Sequence, residues 1–495
     1  MGVSSRMQSG TARPAAEHAF AGRDLAFLDA TAQAELIASG ELSPRESIEA
    51  AIERVERCDG ELGAVPVRFF ERALRAAEIP RPGAPFAGVP FLMKDVGARQ
   101  IGQPYYAANR ALRDADHRAD ADTPLGARFR EIGLVTLGNS STPEFAMQSN
   151  TWSLAYGPTV NPWDPLRAAG GSSGGACAAV AAGLVPVAHA SDGAGSIRIP
   201  AAWCGLIGLK PTRDRVVWRH AGKQRHDVEF VVARSLRDTA ALLDVLRPAA
   251  DRDAEPGRFL RSIASQPRTM RIGFCRRSPA GSFVHPSSRV AVERVLAALE
   301  GRGHRVVDDA PAALQTYADR ALYGAVLGPL GFRDCLDELA ERLGRPVDAH
   351  DVEPFLWELS THPETTLEGS SAEDIERAIE WTQEWERSLL GWFDGNDVLV
   401  TPTVHEPAPE LASLDPTRHT PLELLEKMVP HMAFTEPWNA TGQPALSLPL
   451  GQTPDGLPVG VQLVGRMGCE DDLLALATGL LEELGPGDAR PRIHA

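Results

Sequence analysis

The chain is short of positive charge. Its 495 residues carry 50 Lys and Arg against 66 Asp and Glu, a formal net charge of -16 and a pI near 5.3. A nucleic-acid binder presents a basic face, so this balance argues against that class. Cysteines in close pairs are also missing. The six present (Cys58, Cys177, Cys204, Cys275, Cys335, Cys469) form no C-x-x-C pair, which argues against a zinc site of that kind and against a disulfide framework. Cys177 and Cys204 lie in apolar stretches and are expected as small buried hydrophobes. No apolar run reaches about 18 residues, so no membrane-spanning helix is expected. Residues 1–21 are rich in Ser, Ala and Arg and lack the apolar core of a signal peptide. These absences lead to the expectation of a cytoplasmic protein with a disordered leader over residues 1–22.

What is present is ordinary for a globular chain: 43% hydrophobic and 23% charged residues. The length allows one large core or two of common size. Asp29-Ala-Thr-Ala can cap a short helix that breaks at Gly40. Ser43-Pro44-Arg45-Glu46 forms a capping box with proline at the first helical position. Ile48, Ala51, Ile52 and Val55 follow at i, i+3, i+4, i+7, the spacing of an amphipathic helix. Residues 88–93 read as a buried strand that delivers Lys94 at its end. A helix is expected over 123–132 and a strand over 134–138. The polar stretch 139–152 is expected near the site. Residues 156–167 hold three prolines and read as loop rather than strand. Strands at 205–212, 271–274 and 304–307 alternate with helices at 235–246 and 287–300, which implies a layered α/β fold.

Residues 311–395 read as helical and acidic, with Trp357, Trp381, Trp385 and Trp392 assigned to helix packing before any ligand-binding role. Strands return at 397–403 and within 434–465. With no repeat and no linker, the expectation is a single domain over 23–490, carrying a variable helical insertion at about 311–395.

The densest signal is 170–201, G-G-S-S-G-G-A-C-A-A-V-A-A-G-L-V-P-V-A-H-A-S-D-G-A-G-S-I-R-I-P-A. Two glycine-serine clusters flank small apolar residues. Glycine lets a backbone approach a ligand closely, so Ser172 and Ser196 mark a place where N–H groups and hydroxyls converge. This stretch closely resembles the signature of the amidase signature family of serine hydrolases. F-A-G-V-P-F-L-M-K-D, residues 86–95, resembles that family's lysine segment, and the likeness runs from about Asp29 to about Leu474. The resemblance implies an amidase signature fold of class α/β, a large mixed central β-sheet covered on both faces by helices. It also implies catalysis by Lys94, Ser172 and Ser196, with Ser196 as nucleophile and Ser172 following a cis peptide bond. The oxyanion hole would come from the backbone N–H groups of Gly193, Ala194, Gly195 and Ser196. Ser173, Asp192 and Arg198 are expected in support. The family often has Gly-Gly where this chain has Ala194-Gly195, and usually glycine where it has Asp214.

Serine is a poor nucleophile until a base takes its proton, and lysine can serve only when neutral. Its reference pKa is about 10.4; burial lowers it, and Val89-Pro-Phe-Leu-Met93 would supply that burial. Two other readings differ in class. Gly171-Ser-Ser-Gly-Gly175 also fits G-x-S-x-G, which would make Ser173 the nucleophile of an α/β-hydrolase, but no strand precedes it. An amidotransferase-type subunit that supplies ammonia to a partner shares the core motifs. Segments 29–36, 344–353 and 434–451 are most similar to the branch of the family that hydrolyses 6-aminohexanoate cyclic dimers, nylon oligomers; related members cleave aryl amides or carbamates. The expected substrate is therefore a small apolar amide or carbamate (urethane), linear or cyclic, with esters also open. No cofactor, metal, nucleic-acid or membrane partner is expected, and a homodimer is left open.

Overall fold

The computed structural model describes residues 25–79, 81–217, 226–361, 371–487 and 489–495, with the backbone alone for 320–330. The expected leader, 1–22, lies outside the described residues. Thirteen strands are present among them: β1 (Val67–Arg68), β2 (Pro90–Lys94), β3 (Val135–Ser140), β4 (Trp152–Ser153), β5 (Gly157–Pro158), β6 (Val187–Asp192), β7 (Ile207–Lys210), β8 (Val228–Ala233), β9 (Arg271–Phe274), β10 (Arg305–Val307), β11 (Val398–Pro402), β12 (Ala445–Gln452) and β13 (Pro458–Gly465). Eleven form one mixed sheet in the order β1-β3-β2-β6-β8-β7-β12-β13-β11-β9-β10. The pairs β2/β3, β2/β6, β9/β10 and β9/β11 are parallel; the rest are antiparallel.

Helices cover both faces, and strand alternation shows it. A side chain grown on Gly460 would meet Ala202 Cβ of helix Arg198–Cys204 at 2.5 Å, whereas one on Gly465 would meet Leu473 of helix Glu470–Leu484 at 3.2 Å. Residues 460 and 465 differ in parity along β13, so these helices lie on opposite sides. Strands β2, β6 and β8 are buried along their whole length, polar residues included, as expected where both faces are covered.

The local signals behave as physics requires. Asp29 Oδ1 accepts from Ala32 N at 2.8 Å and the helix Ala30–Ser39 ends at Gly40, φ 79°. Ser43 and Glu46 complete a reciprocal cap on helix Pro44–Leu62, and Ile48, Ala51 and Val55 on its inner face are 0% exposed. One expectation fails in detail. Within 156–167, Gly157–Pro158 pairs with Trp152–Ser153 in a two-residue ribbon. Proline is tolerated there because an edge ribbon does not require its missing N–H. Among the described residues of 311–395, three helices are present (Tyr317–Leu343, Pro354–Thr361, Ala372–Trp392). All four named tryptophans of this region pack: Trp385 Nε1 donates to Ala313 O, Trp381 stacks on Trp385, Trp392 Nε1 donates to Asp309, and Trp357 packs against the cluster holding Leu339, Val352 and Leu356. Asp214 has φ 64°, in the left-handed region that favours glycine. No helix among the described residues is long and apolar enough to cross a membrane.

Candidate active site

Three chain segments meet at the carboxyl ends of two adjacent parallel strands. β2 and β6 pair in register, Phe91 with Val187 and Leu92 with Ala188. β2 therefore ends in Lys94 beside the end of β6, which carries Ser191 and Asp192. The third segment is the turn that opens helix Gly174–Ala181, with a cis peptide bond between Gly171 and Ser172. Gly175 lets this helix start against the exit of β3: a Cβ there would sit 2.3 Å from Ser141 N. Thr151 closes the turn, donating to Gly170 O at 2.8 Å and accepting from Gly174 N at 3.0 Å.

Lys94 is 1% exposed. Its Nζ lies 2.7 Å from Ser172 Oγ, 2.9 Å from Ser173 Oγ and 2.9 Å from Ser191 Oγ. Burial, only partly opposed by Glu229, Asp227 and Asp192, pushes its pKa down to about 7. A neutral amine donates two hydrogens and accepts one, so one of the three hydroxyls must donate to it. Ser173 is committed elsewhere: its Oγ donates to Ser191 O at 3.2 Å and accepts from Ser191 N at 3.3 Å. Ser172 and Ser191 remain as hydroxyls able to donate to the amine, Ser172 at the shorter distance.

Ser196 is half-buried in the turn between β6 and helix Arg198–Cys204. Ser173 N donates to Ser196 O at 3.2 Å, which ties this turn to the cis-peptide turn. Asp192 organises the turn around its carboxylate. It accepts from Gly195 N at 2.7 Å, Ile197 N at 3.1 Å, Arg198 Nε at 2.9 Å and Arg198 Nη2 at 2.8 Å. Burial pushes this carboxyl up, but Arg198 and the hydrogen bonds from Arg198 and Asn439 hold it at about 2. The expected oxyanion set is corrected at one position: the Gly195 N–H points to Asp192 and is not free. The N–H groups of Gly193, Ala194 and Ser196 meet no acceptor among the described residues.

Several residues here were not singled out from sequence. Ser191 is the third partner of Lys94. Thr435 Oγ1 donates to Ala194 O at 2.6 Å. Asn439 donates to Asp192, and Gln462 Oε1 accepts from Arg198 Nη1 at 2.9 Å. Asp227 stands over the turn: a Cβ on Gly193 would lie 2.1 Å from its Oδ1. Burial, with repulsion from Glu229, pushes Asp227 up to about 6. A local signal existed for Ser191, inside the glycine-serine stretch. Thr435, Asn439 and Gln462 lie within 434–465, whose strand pattern gives no indication of which side chain faces the site. Ser173, the nucleophile of the α/β-hydrolase reading, is 0% exposed, and the bonds already described engage its hydroxyl, with no histidine among its partners.

Comparison with known proteins gives the family. The family described as Amidase matches residues 46–474. The 6-aminohexanoate-cyclic-dimer hydrolase of Paenarthrobacter ureafaciens is 38% identical over 483 residues, covering 94% of this chain and 96% of the relative. The structure of a 6-aminohexanoate cyclic dimer hydrolase complexed with substrate superposes with a TM-score of 0.87 at 35% identity, covering 95% of this chain and 100% of that one. A bacterial aryl acylamidase of the amidase signature family superposes with a TM-score of 0.81 at 25% identity, covering 93% and 96%. The chain belongs to the amidase signature family and is an amide-hydrolysing enzyme.

Proposed function

We propose that the chain hydrolyses small cyclic and linear amides of the 6-aminohexanoate type through an acyl-enzyme on Ser196, with Lys94 as the base and Ser172 as the relay. The observation that carries this reading is the Lys94 amine, buried at 1% exposure, lowered to about 7 and 2.7 Å from Ser172 Oγ. In this reading the neutral amine takes the Ser172 proton while Ser172 Oγ takes the proton of Ser196. Ser196 Oγ bonds to the carbonyl carbon, and the carbonyl electrons move onto oxygen. The N–H groups of Gly193, Ala194 and Ser196 then face that oxyanion, with Asp192, Arg198 and Thr435 fixing the turn. Collapse breaks the C–N bond, and the leaving amine receives the proton back from Lys94 by way of Ser172. Water then repeats the sequence on the ester. Donors of this kind are each worth about 10²–10³ in rate.

The substrate class rests on likeness to the cyclic dimer hydrolases over nearly the whole chain. Carbamates and esters share the same tetrahedral intermediate, so the reading extends to them. A panel of 6-aminohexanoate cyclic dimer, linear oligomers, anilides and aryl carbamates tests it, with Ser196→Ala as the control. Turnover of the cyclic dimer, lost by about 10⁴-fold or more in Ser196→Ala, is the expected result. No turnover of any of these compounds by the unaltered enzyme contradicts the substrate assignment.

A further inference from the structure

Away from Lys94 and the serines, His405, Glu406 and His431 bring three ligand atoms within 4.8 Å of one another. His405 and Glu406 follow β11, and His431 lies in helix Pro421–Met432. The His405 Nε2 and His431 Nε2 atoms each stand 3.4 Å from the same carboxylate atom, Glu406 Oε1. An ordinary N–H···O bond would place them at about 2.7–3.2 Å. A tetrahedral zinc ion with bonds of about 2.0–2.1 Å gives ligand–ligand edges of about 3.3–3.4 Å. The two histidine–carboxylate spacings match edges of such a tetrahedron, and the three ligand atoms together lie within 4.8 Å of one another.

The surroundings fit as well. Both imidazoles are buried, and their rings stack at 5.4 Å and 24°. His431 Nδ1 lies 3.1 Å from Ser149 Oγ. A hydrogen on Nδ1, donated to Ser149, leaves the Nε2 lone pair for a metal, the usual outer-shell arrangement of a ligating histidine. The His405 ring faces the backbone of Pro430, in the same helix as His431. The backbone under Glu406 is held, since Trp203 Nε1 donates to Glu406 O at 3.0 Å. The Glu406 side chain is 39% exposed, which leaves solvent access on one side.

We propose that His405, Glu406 and His431 bind one Zn²⁺ ion, with a water in the fourth position. Two imidazoles and one carboxylate with an open position are a zinc donor set. The expectation of no metal rested on cysteine spacing, which is blind to a His/Glu set drawn from two segments. The ion would clamp the exit of β11 and helix Pro421–Met432 to Ser149. That residue adjoins Asn150, whose backbone N packs where a Cβ on Gly171 would fall, at 2.6 Å. This proposal does not depend on the substrate assignment.

The test uses the full chain stripped with EDTA and dialysed. Calorimetric titration with Zn²⁺ is expected to give one site per chain. Ser149→Ala is expected to weaken it by about 10–100-fold, and Glu406→Gln to abolish it at concentrations that fill the unaltered protein. Glu406→Gln keeps shape and lies at the surface, so its melting temperature without zinc should match the unaltered chain. Should it melt lower, Co²⁺ on the unaltered chain decides: intense visible bands of four-coordinate Co²⁺ support the site. Absence of stoichiometric Zn²⁺ binding, equal binding by Glu406→Gln, or only the pale spectrum of octahedral Co²⁺ overturns it.

Discussion

Lys94 is surrounded by three hydroxyls and no bulk water, and burial costs its charged form more than the neighbouring acids return. The folded value of about 7 lies below the unfolded value of 10.5. Between these limits the unfolded chain binds a proton that the folded chain does not. Stability from this group therefore rises with pH from about 7 to about 10.5 and is flat below 7. Lys94→Met has no such group. Relative to it, the unaltered chain should gain up to about 1.4 kcal/mol per pH unit across that window. Urea unfolding of both proteins at several pH values between 7 and 10 measures this, and parallel pH profiles would refute the lowered pKa. The sequence carried more warning than its motifs. It has only four lysines, Lys94, Lys210, Lys223 and Lys427. Lys210 is also fully buried and, by desolvation and then Arg198, pushed down to about 7.

Among the elements, the turn from β6 into helix Arg198–Cys204 is the least tolerant. Gly195 has φ 132°, and a Cβ there would meet Thr435 Oγ1 at 2.3 Å. Gly195→Ala must move both Thr435 and the N–H groups of Ala194 and Ser196. A loss of about 100-fold or more in kcat/KM is expected, the scale of losing one oxyanion donor, together with a lower melting temperature, because alanine is strained at this φ and its Cβ collides with Thr435 and Ile199. Activity assays beside thermal melts check this; near-normal kcat/KM would show that the turn has slack. The elements that frame the site were legible because each had a strong local pattern. Residues 88–93 are a short apolar run ending in lysine, and Ser43 with Glu46 is a reciprocal cap. The ribbon of Trp152–Ser153 with Gly157–Pro158 was not legible, since two residues per strand leave no periodicity to read. The commitment of Gly195 N–H to Asp192 was equally hidden, because glycine content says where a turn is tight and not which way each amide points.

On the scale of the whole molecule, the site depends on one buried ion pair that gathers distant segments. Asp192 and Arg198 are both 0% exposed, and Arg198 also donates to Thr435 O, Gln462 and Asn439. These partners lie more than 230 residues along the chain from Arg198. No window of sequence could show that meeting, because isolated buried polar residues carry no periodicity. Asp192→Asn keeps the shape and leaves the guanidinium buried without its counter-charge. A loss of about 3–5 kcal/mol is expected, read as a shifted denaturation midpoint; a loss below 1 kcal/mol would show that the pair is dispensable. Because the Asp192 pKa is held at about 2 against 3.8 unfolded, its contribution is present above about 3.8 and lost as pH falls towards 2.

The relay from Lys94 through Ser172 to Ser196 is tested most directly by the rate at which a fluorophosphonate labels Ser196, followed by peptide mapping across pH. Labelling confined to Ser196, rising with pH through a midpoint near 7 and lost in Lys94→Ala, is the predicted result. Labelling at another serine, or a rate that Lys94→Ala leaves unchanged, would contradict it.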